Sequence, residues 1–535
     1  MSDFFFRTED IGPANILNYF VETDEDRSIV TQLKGRNPTV LIGSRGVGKS
    51  FLMRVAEQEL ARDFKTQKIV PVYVTFVSGS LLRSDDPQQF RHWMLARICR
   101  AILRKIQKMG LLATLPQSAN VLAGLPRGYS NTDGLESIIK AYEASWKHPD
   151  QKIDFSNIPD VEEIKEALED LSEELGVSRF SLFMDEAAHI FLPSQQRQFF
   201  TLFRDLRSHC ITCNAAVYPG VTSFGDIFQP THDATMLSMN RDIGSDNYIS
   251  SMRNIVEKQA EASMLKAISK NGQNFATLAY AATGNPRILL KTISQAPRMS
   301  STEVNAVIRE FYRSDIWSEH SALSDKYTGH KPMIDWGRNF IEDTVLPDLK
   351  QKNDVYLSSE KNSTSYIWVH RDVPEIVKEG LRILSYTGVL TEHSDGIRAT
   401  RSEIGKRYLV NLGCLFALES NPASTAFNIA TSLTQKRMSE FGVKHSAFSP
   451  LTSSGLDLSN IEEGFDLECQ LAKPNTVLDI TPWQRSKLDE LGLATVGDVL
   501  AATESKLKEA HYVGDVRAQR MRDAAIASVL EYLSG

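Results

Sequence analysis

Pro38-Thr39-Val40-Leu41-Ile42-Gly43-Ser44-Arg45-Gly46-Val47-Gly48-Lys49-Ser50 is the stretch on which the reading of the chain turns. A short β-branched run ends at Ile42, a Gly-rich turn follows, and helical spacing sets in at Lys49 and runs to about Phe64. Gly43 to Ser50 fit G-x-x-x-x-G-K-[ST] with a strand before and a helix after, the context that gives the pattern meaning. Glycines let successive amides curl around phosphate, and the helix start adds free amides and a positive dipole end. Gly43, Ser44, Arg45, Gly46, Val47, Gly48, Lys49, Ser50 and Phe51 are therefore expected to hold ATP. In this reading Lys49 reaches the terminal phosphates, the Ser50 hydroxyl ligates Mg²⁺ and the Arg45 side chain faces solvent.

Working outward, Ile69–Val77 reads as a strand and Pro87–Met109 as a long amphipathic helix. Between Gly110 and about Asn157 the pattern weakens, as in an insertion. Asp160–Leu175 then reads as an acidic helix, Phe180–Met184 as a buried strand, Gln195–Arg207 as a helix and 210–218 as a strand. A polar loop and two helices, Tyr248–Ser269 and Asn274–Tyr280, follow. Alternating strands and helices predict an α/β core, a parallel sheet with helices on both faces. The buried strand ends in Asp185 and Glu186. At the tip of a strand beside the phosphate-loop strand, Asp185 is placed to hold Mg²⁺ and Glu186 to activate a water.

These motifs resemble the AAA+ ATPases, in the clade nearest the origin-recognition and archaeal-type P-loop ATPases, over about residues 20–300. The resemblance makes 43–50 the Walker A and 180–186 the Walker B motif. It makes Gly284-Asn285-Pro286-Arg287-Ile288-Leu289-Leu290 a sensor-2 motif that aims Arg287 at the γ-phosphate. An Arg in a first helical turn is electrostatically misplaced unless it meets an anion, which agrees. For sensor 1 the choice is Asn214, with Tyr218 and Thr222 as alternatives. Arg204 and Arg207 are candidates to reach a neighbouring protomer's site or to be solvated. Thr23–Leu33 resembles the helix that helps form the adenine pocket.

The remainder divides into further regions. With the core at 1–240 and a helical lid at 241–300, residues 301–425 read as winged-helix-like. There Val373–Tyr386 forms the helix, and strands Val389–Thr391 and Ile397–Thr400 turn at Ser394-Asp395-Gly396. Arg398, Arg401, Lys406 and Arg407 cluster on the wing. Residues 426–480 read as a linker. Residues 481–535 form a small all-α unit that resembles the helix-hairpin-helix domain at the end of the RNA polymerase α polypeptide. Its seven Lys and Arg against eight Asp and Glu leave nucleic acid and protein both open as its partner.

A length of 535 residues at about 150 per domain implies several domains. The 42% hydrophobic content excludes general disorder, and the net charge of −7 excludes wholesale wrapping of nucleic acid. Five scattered cysteines exclude a disulfide scaffold, and Cys210-x-x-Cys213 lies in an apolar run without a second pair, so both read as packing residues. No segment is long and apolar enough to suggest a membrane span, and a cytoplasmic protein is expected. The chain reads as an ATP-hydrolysing AAA+ switch or motor subunit that self-assembles with ATP and binds DNA weakly. Catalysis would rest on Glu186, Lys49, Arg287 and Asn214, and metal binding on Ser50 and Asp185. Two other readings stand beside it: a slow or non-hydrolysing scaffold or sensor in a bacterial defence or signalling complex, and a DNA-loading, replication-initiator-like ATPase.

Overall fold

A computed structural model describes residues 4–76, 88–111, 117–124, 134–143, 145, 153–186, 192–221, 223–399, 402–455, 467–478 and 480–534. Five parallel strands form the first sheet: β1 (Thr39–Ile42), β2 (Ile69–Thr75), β3 (Arg179–Asp185), β4 (Ile211–Val217) and β5 (Thr235–Ser238). Their order is β2-β3-β4-β1-β5. Because every strand runs the same way, the loops after β1, β3, β4 and β5 leave from one edge, where ligands of such sheets bind. Side chains alternate between the two faces: Phe180, Leu182 and Met184 pack under helices Gln89–Lys108, Val161–Leu175 and Pro193–Asp205. Leu41, Phe183 and Ala216 face the other way, under helices Asp24–Lys34 and Lys49–Arg62.

Several expectations are revised. β3 does not adjoin β1, because β4 pairs with both and separates the carboxylate strand from the phosphate-loop strand. β5 lay in the stretch read as polar loop; its four residues, Thr235–Ser238, are too few to show alternation. The lid segment is two helices, Tyr248–Glu257 and Ala262–Lys270, instead of one. Cys210 and Cys213 are free and buried, Cys213 inside β4. Of the expected insertion, helices Gln117–Leu122 and Gly134–Glu143 pack into the core beside Gln89–Lys108, while 112–116, 125–133 and 146–152 lie outside the described residues.

Beyond the lid, β6 (Tyr366–His370), β7 (Leu390–Arg398), β8 (Ile404–Val410) and β9 (Ser439–Phe441) form a second sheet in the order β7-β8-β6-β9. Helix Glu375–Tyr386 joins β6 to the β7–β8 hairpin, a winged-helix-like arrangement. The expected turn at Ser394-Asp395-Gly396 is instead an irregularity within β7, where the register against β8 shifts twice. The chain reverses between Ala399 and Glu403, bonded Ala399 N–H to Glu403 C=O at 2.9 Å. Residues 426–455, expected as linker, contribute the end of helix Pro422–Thr431, β9 and the short helix Ser449–Thr452; residues 456–466 lie outside the described set. The C-terminal unit is all-α, with helices Pro482–Glu490, Val496–Ala501, Glu504–Leu507 and Asp515–Ser534. Its Leu488, Val499 and Leu507 belong to one apolar cluster that also contains Leu289 of the lid and Leu384 of the winged unit. Among the described residues, no helix is long and apolar enough to cross a membrane.

Candidate functional site

The loop after β1 enters helix Lys49–Arg62 through Gly46 at φ +86° and Gly48 at φ +106°, a left-handed backbone that a side chain would strain. A Cβ on Gly46 would stand 2.8 Å from Arg287 Cβ and from Asn285 Oδ1, so the loop also touches the lid as closely as glycine allows. Asn285 Nδ2 donates to Arg45 C=O at 2.7 Å and the Arg287 N–H to Gly46 C=O at 3.4 Å, which ties loop and lid together. Beneath the loop, Lys49 is buried, donating from Nζ to Gly43 C=O at 2.6 Å and to Ser44 C=O at 3.0 Å. The ammonium also lies 4.4 Å from the Tyr218 ring centroid. Burial pulls its pKa down to about 8, against the pull of Asp185 and Glu186.

At the tip of β3 the backbone turns left-handed at Glu186, φ +52°, and the Glu186 N–H donates to Asp185 Oδ1 at 3.0 Å. The Tyr73 hydroxyl donates to Asp185 Oδ2, while the Arg54 guanidinium lies 3.3 Å from the Tyr73 ring centroid. Two carboxylates meet here in a water-poor place: burial first, then the Asp185 charge, push Glu186 up to about 7. That is the range in which a carboxylate exchanges a proton efficiently near neutral pH.

Gly46, Gly48, Lys49, Asp185 and Glu186 line one cavity of about 370 Å³, together with Ser50, Tyr218, Arg241, Arg287 and the N-terminal residues Phe5–Ile11. Phe20 and Asp26 also border it, so the apolar side of the cavity is built partly by residues preceding Thr23–Leu33 and only touched by that helix. Arg287 is half-buried, and its Nε donates to Phe6 C=O at 2.9 Å. Burial, then the nearby Arg45, lowers its pKa.

The sequence choice for sensor 1 is not at this cavity. Asn214 is fully buried four residues into β4, level with Thr39 at the start of β1, and its Nδ2 donates to Leu33 C=O at 3.1 Å. Tyr218, one residue past the strand, is the position that reaches the cavity; Thr222 lies outside the described residues. Arg45 does not face open solvent either: it lines the cavity, with Glu319 of the second unit 3.9 Å from Nη1. Arg204 and Arg207 sit near the start of β5, at the sheet edge away from the loop, and both approach Asp233, at 3.7 and 3.9 Å.

Sequence reasoning overlooked Arg241. Three residues past β5, it donates to Val47 C=O at 2.9 Å and to both Asp26 oxygens at 3.2 Å, fastening the phosphate loop to helix Asp24–Lys34. The only signal was a polar cluster, Asn240-Arg241-Asp242, following a run too short to read as a strand.

The donors suit a nucleoside triphosphate with magnesium. First-turn amides of the Lys49–Arg62 helix have no acceptor within the helix, and Lys49, Arg45, Arg241 and Arg287 surround the cavity. A carboxylate has about four acceptor sites, and Asp185 uses two of them within the protein, which leaves capacity for a cation beside Ser50. Magnesium held by Ser50 and Asp185 would complete its shell with phosphate oxygens and waters.

Fold and site together define an α/β P-loop NTPase core, to which helical, winged-helix-like and small all-α units are joined. A family model described as ORC-CDC6-like matches residues 4–82, a span that holds the N-terminal wall of the cavity and the whole phosphate loop. No curated protein sequence matches the chain. Solved structures similar to it include an ORC1 protein of Aeropyrum pernix in complex with DNA, at 12% identity and TM-score 0.32, covering 78% of this chain and 93% of that one. A Walker-type ATPase of Pyrococcus abyssi aligns at 12% identity and TM-score 0.38 over 79% and 97% of the two chains. An Aeropyrum pernix ORC2 protein, solved in ADPNP–ADP complexes, aligns at 10% identity and TM-score 0.34 over 80% and 96%.

Proposed function

We propose that the chain is an AAA+ ATPase that binds ATP with Mg²⁺ at this cavity, hydrolyses it, and uses nucleotide state to govern self-assembly and contact with DNA. The observation that carries this reading is the convergence of Lys49, Arg287 and the Asp185–Glu186 pair, from three separate elements, on one cavity. Lys49 and Arg287 would offset charge on the terminal phosphates, and Glu186 would take the proton of an attacking water. Ser50 and Asp185 would hold magnesium, which as a Lewis acid stabilises developing phosphate charge. Tyr73 would keep the Asp185 carboxylate turned toward the metal.

The ORC-CDC6-like match across the phosphate loop favours the DNA-loading, initiator-like form of this reading over a free-standing motor or a nucleotide-stabilised scaffold. The winged unit supports a modest DNA contact: Lys406 is paired to Glu392 at 2.8 Å, while Arg407, held by Gln435 C=O at 2.9 Å, and the exposed Arg398 keep their charge. Titrating labelled ATP into the wild type and Lys49→Ala, and sedimenting the same samples with and without duplex DNA, tests it. Binding that depends on Lys49, with larger species in ATP, is expected. Undiminished affinity in Lys49→Ala would remove the site assignment, and a monomer in every condition would remove the assembly.

A further inference from the structure

Arg45 and Lys49 are the two cations of the phosphate loop, and the fold treats them differently. Lys49 is committed to loop carbonyls, whereas Arg45 donates no side-chain hydrogen bond among the described residues; its carboxylate partner, Glu319 Oε1, stands 3.9 Å away, beyond hydrogen-bond range. The side chain is only 24% exposed. It lines the cavity that also holds Lys49, Glu186, Tyr218 and Arg287. Behind it, Tyr386 of the winged unit packs edge-on against Tyr218 with centroids 5.0 Å apart. A guanidinium confined in this way, with its donor fork unspent, is preorganised for a phosphate: it offers two parallel N–H groups and breaks no protein hydrogen bond to do so.

Taking the ATP reading as its premise, we propose that Arg45 contacts the terminal phosphate of ATP bound to its own chain and so makes the site distinguish ATP from ADP. Lys49 and Arg287 already serve the terminal phosphates in that reading, and Arg45 would add a third cation to them. Arg241 spans Val47 and Asp26, and Arg204 and Arg207 approach Asp233 away from the phosphate loop. Glu319, from the second unit, is the carboxylate within ion-pair range of Arg45.

The test uses the full chain and two probes, ADP and a non-hydrolysable ATP analogue, titrated calorimetrically with Mg²⁺ into wild type, Arg45→Ala and Arg45→Lys. Arg45→Ala is expected to bind ADP within about threefold of wild type while losing about 10–100-fold in affinity for the ATP analogue, the scale of one or two charge-assisted hydrogen bonds. Arg45→Lys recovers part of that loss. Equal weakening of both nucleotides, or of neither, overturns the proposal. Mixing Arg45→Ala with Glu186→Gln chains separates action within a chain from action between chains: hydrolysis stays low if Arg45 serves its own site, and recovery on mixing overturns that half. A wild type that binds neither nucleotide breaks the ATP reading itself and this inference with it; a wild type that binds both with an unchanged Arg45→Ala breaks this inference alone.

Discussion

The phosphate end of the first sheet and the β7–β8 wing both carry clusters of basic residues, yet the fold directs the first into a cavity and leaves the second on the surface, with Arg398 exposed. At the phosphate end, Lys49 rests on carbonyl oxygens and an aromatic face, and Arg287 on a single carbonyl, so their positive charge remains directed at the cavity. At the wing, Lys406 meets Glu392, and Arg407 turns inward over the Tyr366 ring, 5.5 Å from its centroid, to donate to Gln435 and Ser394. Arg401 lies outside the described residues. Carbonyl oxygens hold a cation without neutralising it, as they hold Lys49, Arg287 and Arg407, whereas a carboxylate cancels it, as Glu392 does at Lys406 and Asp26 at Arg241. A basic cluster in a sequence therefore announces a binding face only when the structure shows what each cation is already touching.

The contrast is broken most forcefully at Lys49. Lys49→Ala should weaken ATP binding by more than about 100-fold with the fold retained, as the removal of a buried charge-assisted interaction requires. Calorimetry with a circular-dichroism control reads both halves. Next in size, Glu186→Gln should keep ATP binding and lose most turnover, because the amide keeps the shape and gives up the basic oxygen. On the proposed mechanism Lys49 and Glu186 should also set the pH response of kcat/KM in the free enzyme. Glu186 must lose its proton, so activity climbs through about pH 7; Lys49 must keep its own, so activity falls above about pH 8. A pH series of initial rates at low ATP should give a narrow bell. In Glu186→Gln the alkaline fall of ATP affinity should persist. A flat profile from pH 6 to 9 would mean that neither group titrates in the working site.

Asn214→Ala sharpens the comparison from the structural side. Losing the bond to Leu33 C=O should cost about 1–3 kcal/mol of stability in urea unfolding, with ATP affinity within about twofold of wild type. Lost turnover at full stability would show that Asn214 reads the phosphate after all. The smallest effects belong to the wing: Lys406→Ala and Arg407→Ala should each change affinity for fluorescent duplex DNA by less than about twofold. The log–log salt slope should stay put, whereas a side chain that neutralised a DNA phosphate would, on removal, lower it by about 0.9.

The sequence alone determined where the Gly-rich loop between β1 and helix Lys49–Arg62, the Asp185–Glu186 strand tip and the Asn285–Arg287 helix start fall, because each is a run of adjacent residues whose shape depends on local backbone. It misjudged Asn214 because distance from a strand tip depends on register, and register is a pairing between β4 and β1, not a property of either. It placed β3 beside β1 for the same reason: strand order is settled by which hydrophobic faces pack, and β4 took the place between. Arg241 and Glu319 were invisible because their partners lie far along the chain, Asp26 for one and Arg45 for the other. Tertiary structure alone decided which cations stay free to meet a ligand, since that depends on every dipole and carboxylate within a few ångströms, and proximity of that kind is made only when distant segments pack.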